Sequence, residues 1–440
     1  MGSYVPTTRE ERQEMLSSMG LKSVSELFLD VPRQVLLQSD VNLPKGRTEF
    51  EVRREMTDIS LKNKTYSVIL RGAGAYNHYI PSIVKYVTSK EEFVTAYTPY
   101  QAEISQGILQ SIFEYQTMIC ELTGLDVSNA SMYDAAEAAA EAVAMCRERK
   151  RVTALVSATA HPDTIATIQT YCNAANAPMR IVPQKDGVTD LEALKSMLGE
   201  DTACLYVQQP NFYGALEDAK LLGELVHAAG GKYILGVNPI ALAVMQSPGE
   251  AGADIAVGEG QPLGMPLSFG GPYLGFMAAT TAMMRKLPGR IAGETTDHNG
   301  NRAFVLTLQA REQHIRREKA SSNVCSNQAL CALTAAVYLS AMGPEGLREV
   351  ATQSMSKAHY LMDGLTKIPG IQRVGNAPFF HEFVLTCSGK RDAILKALEE
   401  KGILGGLPLY DDQLLWCATE QISREQLDTV IQTVGEVCGK

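Results

Sequence analysis

Two spacings of apolar residues alternate along the middle of the chain. Between about residues 134 and 280, short apolar runs alternate with segments whose apolar residues recur at helical spacing. The runs predict strands over residues 152–157, 179–183, 204–208, 233–237, 254–257 and 274–278, and the intervening segments predict helices over 134–148, 163–171, 190–198 and 215–229. Such an alternation is typical of a mostly parallel sheet with helices on both faces. We therefore predict a doubly wound α/β domain.

The segments before this domain indicate helices. Thr8 and Glu11 have the spacing of a capping box, which predicts a short helix ended by Gly20. A long amphipathic helix is predicted from Gln101 to a stop at Gly124. Its expected core stripe consists of Ile104, Ile108, Ile112, Ile119 and Leu122.

The pattern changes again after about residue 325. A long helical stretch is predicted over 327–366, followed by a strand (382–386), a helix (390–401), a strand (414–417) and a last helix (423–437). This order predicts a smaller α+β domain. We divide the chain into an N-terminal helical arm (1–65), a large α/β domain (66–325) and a small C-terminal domain (326–440).

Composition narrows the class of protein. The net charge is −9 and basic residues cluster only at 147–151 and 311–319, so a nucleic-acid partner is not expected. The nine cysteines form no C-x-x-C pair, which indicates reduced thiols and no metal site. The chain shows no signal-peptide pattern and no apolar run near the ~20 residues of a bilayer span. We expect a cytoplasmic protein without a membrane partner.

Three motifs carry a family resemblance. Residues 97–107 read YTPYQAEISQG, residues 258–272 read GEGQPLGMPLSFGGP, and residues 311–319 read REQHIRREK and run into SSNVCSNQ at 321–328. Together they resemble glycine decarboxylase, the P-protein family of the glycine cleavage system. The resemblance covers essentially the whole chain and is to the N-terminal half of the fused enzyme, which in many bacteria is a separate alpha chain.

The resemblance implies both a fold and an activity. The fold would be that of the pyridoxal phosphate (PLP)-dependent transferases of the aspartate aminotransferase type (fold type I). The activity would be decarboxylation of glycine, with transfer of the aminomethyl group to the lipoyl arm of the H-protein. A homologous beta chain (subunit 2) would be the partner, in an assembly of two alpha and two beta chains.

Three positions bear on whether this chain holds PLP itself. Counting back from the Gly-Gly-Pro turn at 270–272 places Gln261 where the cofactor-bearing half has its lysine, and an amide cannot form an imine. Asn238 falls near the position of the aspartate that pairs with the pyridine nitrogen, and it carries no charge. At the expected phosphate cup, Asp134 and Glu137 are spaced to fill the N–H groups of the helix start themselves. We expect PLP on the beta chain and none on this chain.

Several residues are candidates for a role in the partner's active site. Tyr97, Thr98 and Tyr100 form a turn around Pro99, and Glu103 follows in what we predict to be the first turn of the long helix. The alternative for these residues is a rigid proline turn with an acid favoured by the helix dipole. By resemblance to the family, the turn would contact glycine or the cofactor in the neighbouring chain.

Other candidates are histidines and basic residues. Asn77 and His78 end a glycine-containing loop expected to lie beside a cofactor pocket. His161 lies where this fold often stacks a ring on PLP, or it is structural. The basic segment forms either a solvated face or part of the subunit interface. Its basic residues are Arg311, Arg316, Arg317 and Lys319. Of these, Arg317 and Lys319 are our candidates for a role in the partner's site.

Two rival functions stay open at this point. The chain could be a self-sufficient PLP enzyme that uses another lysine, or it could only stabilise the beta chain, with no residue near the substrate. The sequence does not single out the residue that contacts the glycine carboxylate or the surface that docks the H-protein.

Overall fold

The computed structural model describes residues 6–37, 39, 41–320 and 322–439. Residues 1–5, 38, 40 and 440 lie outside the described residues, and so does Ser321 of the third motif. The chain forms two compact units, Met1–Thr65 and Tyr66–Lys440. The predicted boundary at residue 325 stays a prediction.

The first unit contains short helices and little core. Thr8 and Glu11 cap α1 reciprocally, as predicted, since the Glu11 N–H donates to Thr8 Oγ1 (3.1 Å) and Gly20 follows the helix with φ +72°. Leu16 is the one residue in the described part of this unit that is buried. The helices are α1 (Arg9–Ser18) and α2 (Glu49–Ser60), with a 3-10 turn at Val24–Phe28 between them.

The second unit contains the remaining helices and all the described strands. The helices are α3 (Ser82–Thr88), α4 (Glu91–Val94), α5 (Gln106–Thr123), α6 (Ala135–Cys146), α7 (Pro162–Ala174), α8 (Leu191–Met197), α9 (Ala219–Ala228), α10 (Gln313–Arg316), α11 (Ala329–Leu365), α12 (Arg391–Glu400) and α13 (Arg424–Cys438). The strands are β1 (Val68–Ile69), β2 (Val127–Ser128), β3 (Thr153–Ser157), β4 (Met179–Val182), β5 (Gln184–Lys185), β6 (Val188–Thr189), β7 (Thr202–Gln209), β8 (Lys232–Val237), β9 (Ile255–Glu259), β10 (Gly275–Ala279), β11 (Ile291–Thr296), β12 (Arg302–Thr307), β13 (Gln372–Arg373), β14 (Glu382–Thr386), β15 (Ile403–Leu404), β16 (Leu407–Pro408) and β17 (Gln413–Cys417).

A seven-stranded sheet organises this unit. Its order is β2-β10-β9-β8-β7-β3-β4, with β10 antiparallel to both of its neighbours and the other pairs parallel. Along β7, Leu205 and Val207 pack in one apolar cluster while Cys204 and Tyr206 pack in another. Successive strand residues point to opposite faces, so both faces are covered. The predicted doubly wound, mostly parallel architecture is confirmed.

A smaller antiparallel sheet follows in the chain. Its order is β13-β14-β17-β16, and it shares a core with the end of α11 and with α12 and α13. Phe383 of β14 and Trp416 of β17 are register partners in that core, and both are buried. The backbone of Phe380 donates to the carbonyl of Gly214 (3.3 Å), so this sheet approaches the loop after β7.

The structure corrects the predicted start of one helix. The helix predicted from Gln101 begins at Gln106, because the Gln106 side chain binds both backbone groups of Phe304 (2.8 and 2.9 Å) as well as the carbonyl of Ala102. Residues 102–104 form a separate 3-10 turn, so Ile104 is exposed rather than part of the core stripe. Glu103 therefore does not lie in the first turn of this helix.

The expectation that no apolar segment is long enough to span a membrane is also corrected. Among the described residues, one helix, α11, is long and apolar enough to cross a membrane by length and composition alone, a test that buried core helices of soluble proteins also pass. It bends at Gly343 (φ +62°), directly before Pro344. Its Ala332 and Ala335 pack in the core of the large sheet, and its Leu361 packs in that of the smaller sheet.

The approach of the two sheets can be tested with a matched pair of glycines. Gly214 and Gly252 share φ +83°, but a Cβ on Gly214 would meet the Glu382 carbonyl oxygen at 1.9 Å, whereas one on Gly252 meets open space. We expect Gly252→Ala to cost about 1–2 kcal/mol of unfolding free energy, the cost of a left-handed alanine. Gly214→Ala should cost at least about 2 kcal/mol more, because backbone must move. Urea unfolding measures both, and equal losses would contradict the close approach.

Candidate functional site

A cavity opens where strands β7, β8 and β9 end beside the start of α6. Its volume is about 460 Å³. The carboxyl ends of parallel strands are where ligands bind in open α/β sheets, so this is the expected place for a site. The cavity wall contains five acids and, among the described residues, no lysine or arginine; the acids are Asp134, Glu137, Asp163, Glu259 and Glu382.

Carboxylates accept hydrogen bonds from two of the N–H groups at the start of α6. The Glu137 N–H donates to Asp134 Oδ1 (2.8 Å), and the Ala135 N–H donates to Glu259 Oε2 (3.2 Å). The Glu137 carboxylate accepts from the Tyr133 N–H (3.3 Å), not from the N-cap residue as a full capping box would. Helix starts bind anions through these same N–H groups. At this helix start they already hold the protein's own acids.

Burial changes the protonation of three of these acids. It raises the pKa of Glu137 to about 8, with the nearby Glu141 adding to the effect and the Tyr133 N–H opposing it. Burial likewise raises the pKa of Glu259 to about 7, against three backbone N–H groups that favour its charged form. Glu382 also reaches a pKa of about 7 through burial, although it accepts from Ala73 N–H and the Tyr76 hydroxyl (both 2.7 Å).

Gln261 is a buried tether between two loops. Its Oε1 accepts from the Tyr76 N–H (2.8 Å), and its Nε2 donates to the carbonyls of Tyr76 (3.0 Å) and Met265 (2.7 Å). The side chain therefore holds the loop before α3 against the segment after β9. The amide group is fully used by these contacts and has no reactive nitrogen.

Asn238 and His161 both line the cavity, and both bind nearby backbone. Asn238 Oδ1 accepts from the Ile240 N–H (2.9 Å), while its Nδ2 is buried without a partner. His161 Nδ1 accepts from the Asp163 N–H (3.1 Å), so its Nε2 carries the proton and donates to the Ala73 carbonyl (3.0 Å). The imidazole thus links α7 to the loop that contains Ala73.

Asn77 and His78 continue that loop away from the cavity wall. The Asn77 carbonyl accepts from Thr419 Oγ1 (2.7 Å), and His78 Nδ1 lies 2.7 Å from Glu420 Oε2. The His78 ring lies parallel to that of His381, with 6.3 Å between ring centres. His381 is 1% exposed, and neither of its ring nitrogens has a hydrogen-bond partner. Burial and then the nearby His78 lower the pKa of His381, so this ring is neutral at physiological pH.

The tyrosine turn lies in a different place and meets a buried arginine. Tyr97 is 93% exposed, and neither it, Thr98, Tyr100 nor Glu103 is among the described residues that line the cavity. The Tyr100 hydroxyl accepts from Arg290 Nη2 (3.3 Å), and the Arg290 guanidinium carbon lies 5.1 Å from the centre of the Tyr100 ring. Arg290 is only 7% exposed.

The basic segment reaches the same cluster through one residue. His314 packs edge-on against Tyr100, with 5.7 Å between ring centres. Arg316, Arg317 and Lys319 are exposed, and Arg317 has φ +53°. Arg311 is more enclosed and donates to the Leu287 carbonyl.

Most of the residues described above thus fall into two groups. Asp134, Asn238 and His161 line the cavity, with Gln261, Asn77 and His78 in the loops behind its wall, whereas Tyr100, Arg290 and His314 form a separate cluster at the surface. Sequence reasoning missed Glu259, Glu382 and Arg290. Glu259 ends an apolar run and Glu382 lies within one, and that pattern could have indicated both. Arg290 follows other basic residues and a Pro-Gly pair, so the sequence carries no such signal for it.

The fold defines the general class of protein. The structure of a sphingosine-1-phosphate lyase from Burkholderia pseudomallei superposes with a TM-score of 0.68 over 92% of this chain and 94% of that chain, at 14% identity. That likeness concerns the fold alone, which is the fold type I architecture of PLP-dependent enzymes. The predicted fold class is confirmed.

The sequence comparisons define the particular family. The sequence model of the family "Glycine cleavage system P-protein" matches residues 2–434, and the chain belongs to that family. A "Probable glycine dehydrogenase (decarboxylating) subunit 1" of Moorella thermoacetica is 50% identical over 98% of each chain, and one of Carboxydothermus hydrogenoformans is 48% identical over 98% and 99%. A crystal structure of glycine decarboxylase (P-protein) in inhibitor-bound form has a TM-score of 0.93 at 43% identity, covering 99% of this chain and 100% of that one. The resemblance seen in the three motifs is confirmed.

The raised pKa of Glu137 predicts a pH-dependent stability. Its pKa is about 8 in the folded chain against an ordinary value near 4.3 when unfolded, so its stabilising effect is complete at acid pH and is lost as the pH rises through 8. We expect Glu137→Gln, which does not titrate, to gain on the order of 2 kcal/mol relative to wild type between pH 5 and pH 8.5. Urea unfolding at both pH values measures this, with the exposed Glu224→Gln as control. A Glu137→Gln difference that does not change with pH would contradict the assignment.

Proposed function

We propose that this chain is subunit 1 of glycine dehydrogenase (decarboxylating), and that it holds no PLP and completes the active site of a homologous subunit 2. In that complex, glycine loses its carboxylate as carbon dioxide, and the aminomethyl group passes to the lipoyl arm of the H-protein. The family membership and the subunit 1 names of the relatives support the enzyme assignment. An assembly of two chains of each kind and a cytoplasmic location are parts of the proposal.

The observation that carries the cofactor-free role is the start of α6. A phosphate dianion bound there would need the N–H groups of Ala135 and Glu137, which already bind Glu259 and Asp134. It would also lie among five acids, with no lysine or arginine in the described cavity wall. A phosphate dianion in this partly buried place would have no cation to compensate its charge, which is strongly unfavourable. The residues present do not fit PLP.

The second element of the proposal is a contribution in trans. Tyr97 is exposed on a turn held by the buried Pro99, so its hydroxyl can reach a neighbouring chain without rearrangement of its own. The Tyr100 hydroxyl accepts from Arg290, which leaves its proton free to donate outward. A purely structural stabiliser of subunit 2 would have no use for such preorganised donors.

The cofactor-free role predicts the behaviour of the isolated chain. Incubated with PLP and then reduced with borohydride, it should contain no pyridoxyl-lysine and show no visible absorbance from a lysine-bound cofactor. Gln261→Lys should not create a PLP site, because it removes the tether to Tyr76 and leaves the acids at α6 in place. Mass spectrometry of reduced peptides makes the measurement. A modified lysine at saturating yield in either protein would favour the rival self-sufficient enzyme.

The contribution in trans predicts the effect of removing a hydroxyl. In the complex with subunit 2 and H-protein, Tyr97→Phe and Tyr100→Phe should assemble normally. Each should lose about tenfold or more in glycine decarboxylation, since a hydrogen bond to a charged group contributes about 1.5–3 kcal/mol. Tyr410→Phe is the matched control, because Tyr410 is 89% exposed on a different loop. Full activity of both turn variants in an intact complex would instead support the stabiliser function.

A further inference from the structure

Arg290 is a buried cation without a counter-ion. Its guanidinium has five N–H donors, of which two are used, in contacts of 3.4 Å to Asn327 Oδ1 and 3.3 Å to the Tyr100 hydroxyl. Its Nε is buried without a partner. No aspartate or glutamate of the described residues forms an ion pair with it. A buried charge is retained only where something compensates it, so this arginine calls for an anion.

The backbone around Arg290 is rigidly placed. Its carbonyl accepts from the Ala130 N–H (2.8 Å), and the Asn129 side chain donates to the Pro288 carbonyl (3.0 Å). The strand β11 begins at the next residue, Ile291. The main chain therefore fixes the backbone of Arg290, while among the described residues the side chains of Asn327 and Tyr100, and no acidic partner, contact its guanidinium. Such placement is typical of a residue that binds a ligand.

A second enclosed arginine follows β12, the strand that pairs with β11. Arg311 donates to the Leu287 carbonyl, while its Nε and Nη2 are buried without partners. The adjacent Glu312 forms no ion pair with Arg311, although its charge favours the charged form of that arginine, and its carboxylate lies 3.6 Å from His314 Nδ1. Two guanidinium groups without ion pairs thus belong to this region, that of Arg290 and that of Arg311, which donates to the Leu287 carbonyl. This concentration of positive charge favours an anion over any other ligand.

We propose that Arg290 and Tyr100 form an oxyanion-binding site that completes the active site of subunit 2. The ligand is a carboxylate or a phosphate group, bound by free N–H groups of Arg290 together with the Tyr100 hydroxyl. Tyr100 is 45% exposed, so the site opens at the surface through the same turn that carries Tyr97. The inference deepens the proposed function. Two sources could supply the oxyanion, the carboxylate of glycine or the phosphate of the partner's PLP.

The first test uses the isolated chain and inorganic probes. At constant ionic strength, phosphate or acetate should raise the unfolding midpoint of the wild-type chain relative to chloride, and Arg290→Met should abolish the shift. Arg285→Met is the matched control, because Arg285 is exposed on the same segment and should leave the shift intact. In chloride, Arg290→Met should unfold no earlier than wild type, since it removes an uncompensated buried charge. The same shift in Arg290→Met, or a midpoint in chloride well below that of wild type, would overturn the site and indicate a structural arginine.

The second test uses the complex and assigns the source. If the ligand is the PLP phosphate, Arg290→Met should weaken PLP binding about tenfold or more in a titration of the apo-complex, with the KM for glycine unchanged at saturating PLP. If it is the substrate carboxylate, the KM for glycine should rise by that factor and PLP affinity should stay. Arg290→Lys should recover part of the loss. Unchanged values for both ligands would overturn the inference.

The two tests keep this inference separate from the proposed function. If the wild-type complex is active and Arg290→Met changes neither the PLP affinity nor the KM for glycine, the proposed function stands and the oxyanion site is rejected. A complex that fails to decarboxylate glycine rejects the proposed function. In that case the effect of phosphate or acetate on the unfolding midpoint of the isolated chain still tests whether Arg290 binds an anion.

Discussion

The hydrogen bonds that close the first turn of α6 are the constraint on which the rest of the site depends. Ala135 and Glu137 donate their N–H groups to the carboxylates of Glu259 and Asp134. In this fold a phosphate would bind at this turn, but the chain's own carboxylates already accept from these two N–H groups. Glu259 joins the helix to the end of β9, so replacing its carboxylate would affect the sheet as well as the cavity.

The distribution of charge follows from this arrangement. The cavity wall contains five acids and no described cation, and burial raises the pKa of three of those acids to about 7 or 8. The cluster of Arg290, Tyr100 and His314 has the opposite character, with buried guanidinium donors that lack ion pairs. This distribution supports our proposal that an anionic substrate or cofactor binds against the surface of this chain and not in its own cavity. This polarity fits a subunit that acts on a neighbour's ligands.

Much of the fold could be predicted from the sequence, because strand and helix periods alternate cleanly across the large sheet. The start of α5 could not, because it depends on Gln106 binding Phe304, a residue distant in sequence. The hairpin of β11 and β12 was missed as well. It contains Gly293 and charged residues, and it carries no clear alternation of apolar positions.

The site shows the same division. That Gln261 lacks an amine and that Asp134 is spaced to cap α6 are local features, readable from residue type and spacing. The role of Gln261 as a tether, the closing contact of Glu259 and the missing counter-ion of Arg290 depend on residues that only the fold brings together. A charge at the end of an apolar run was the available signal for Glu259 alone. It indicates a buried charge without indicating its partner.

We propose that the cofactor belongs to subunit 2 and that subunit 1 supplies the completing residues. The PLP content of the complex co-purified from co-expressed subunits tests this, with borohydride reduction and peptide mapping to locate the cofactor. We expect one PLP for each pair of chains, with every pyridoxyl-lysine in subunit 2. Two PLP for each pair, or a pyridoxyl-lysine in subunit 1, would contradict it.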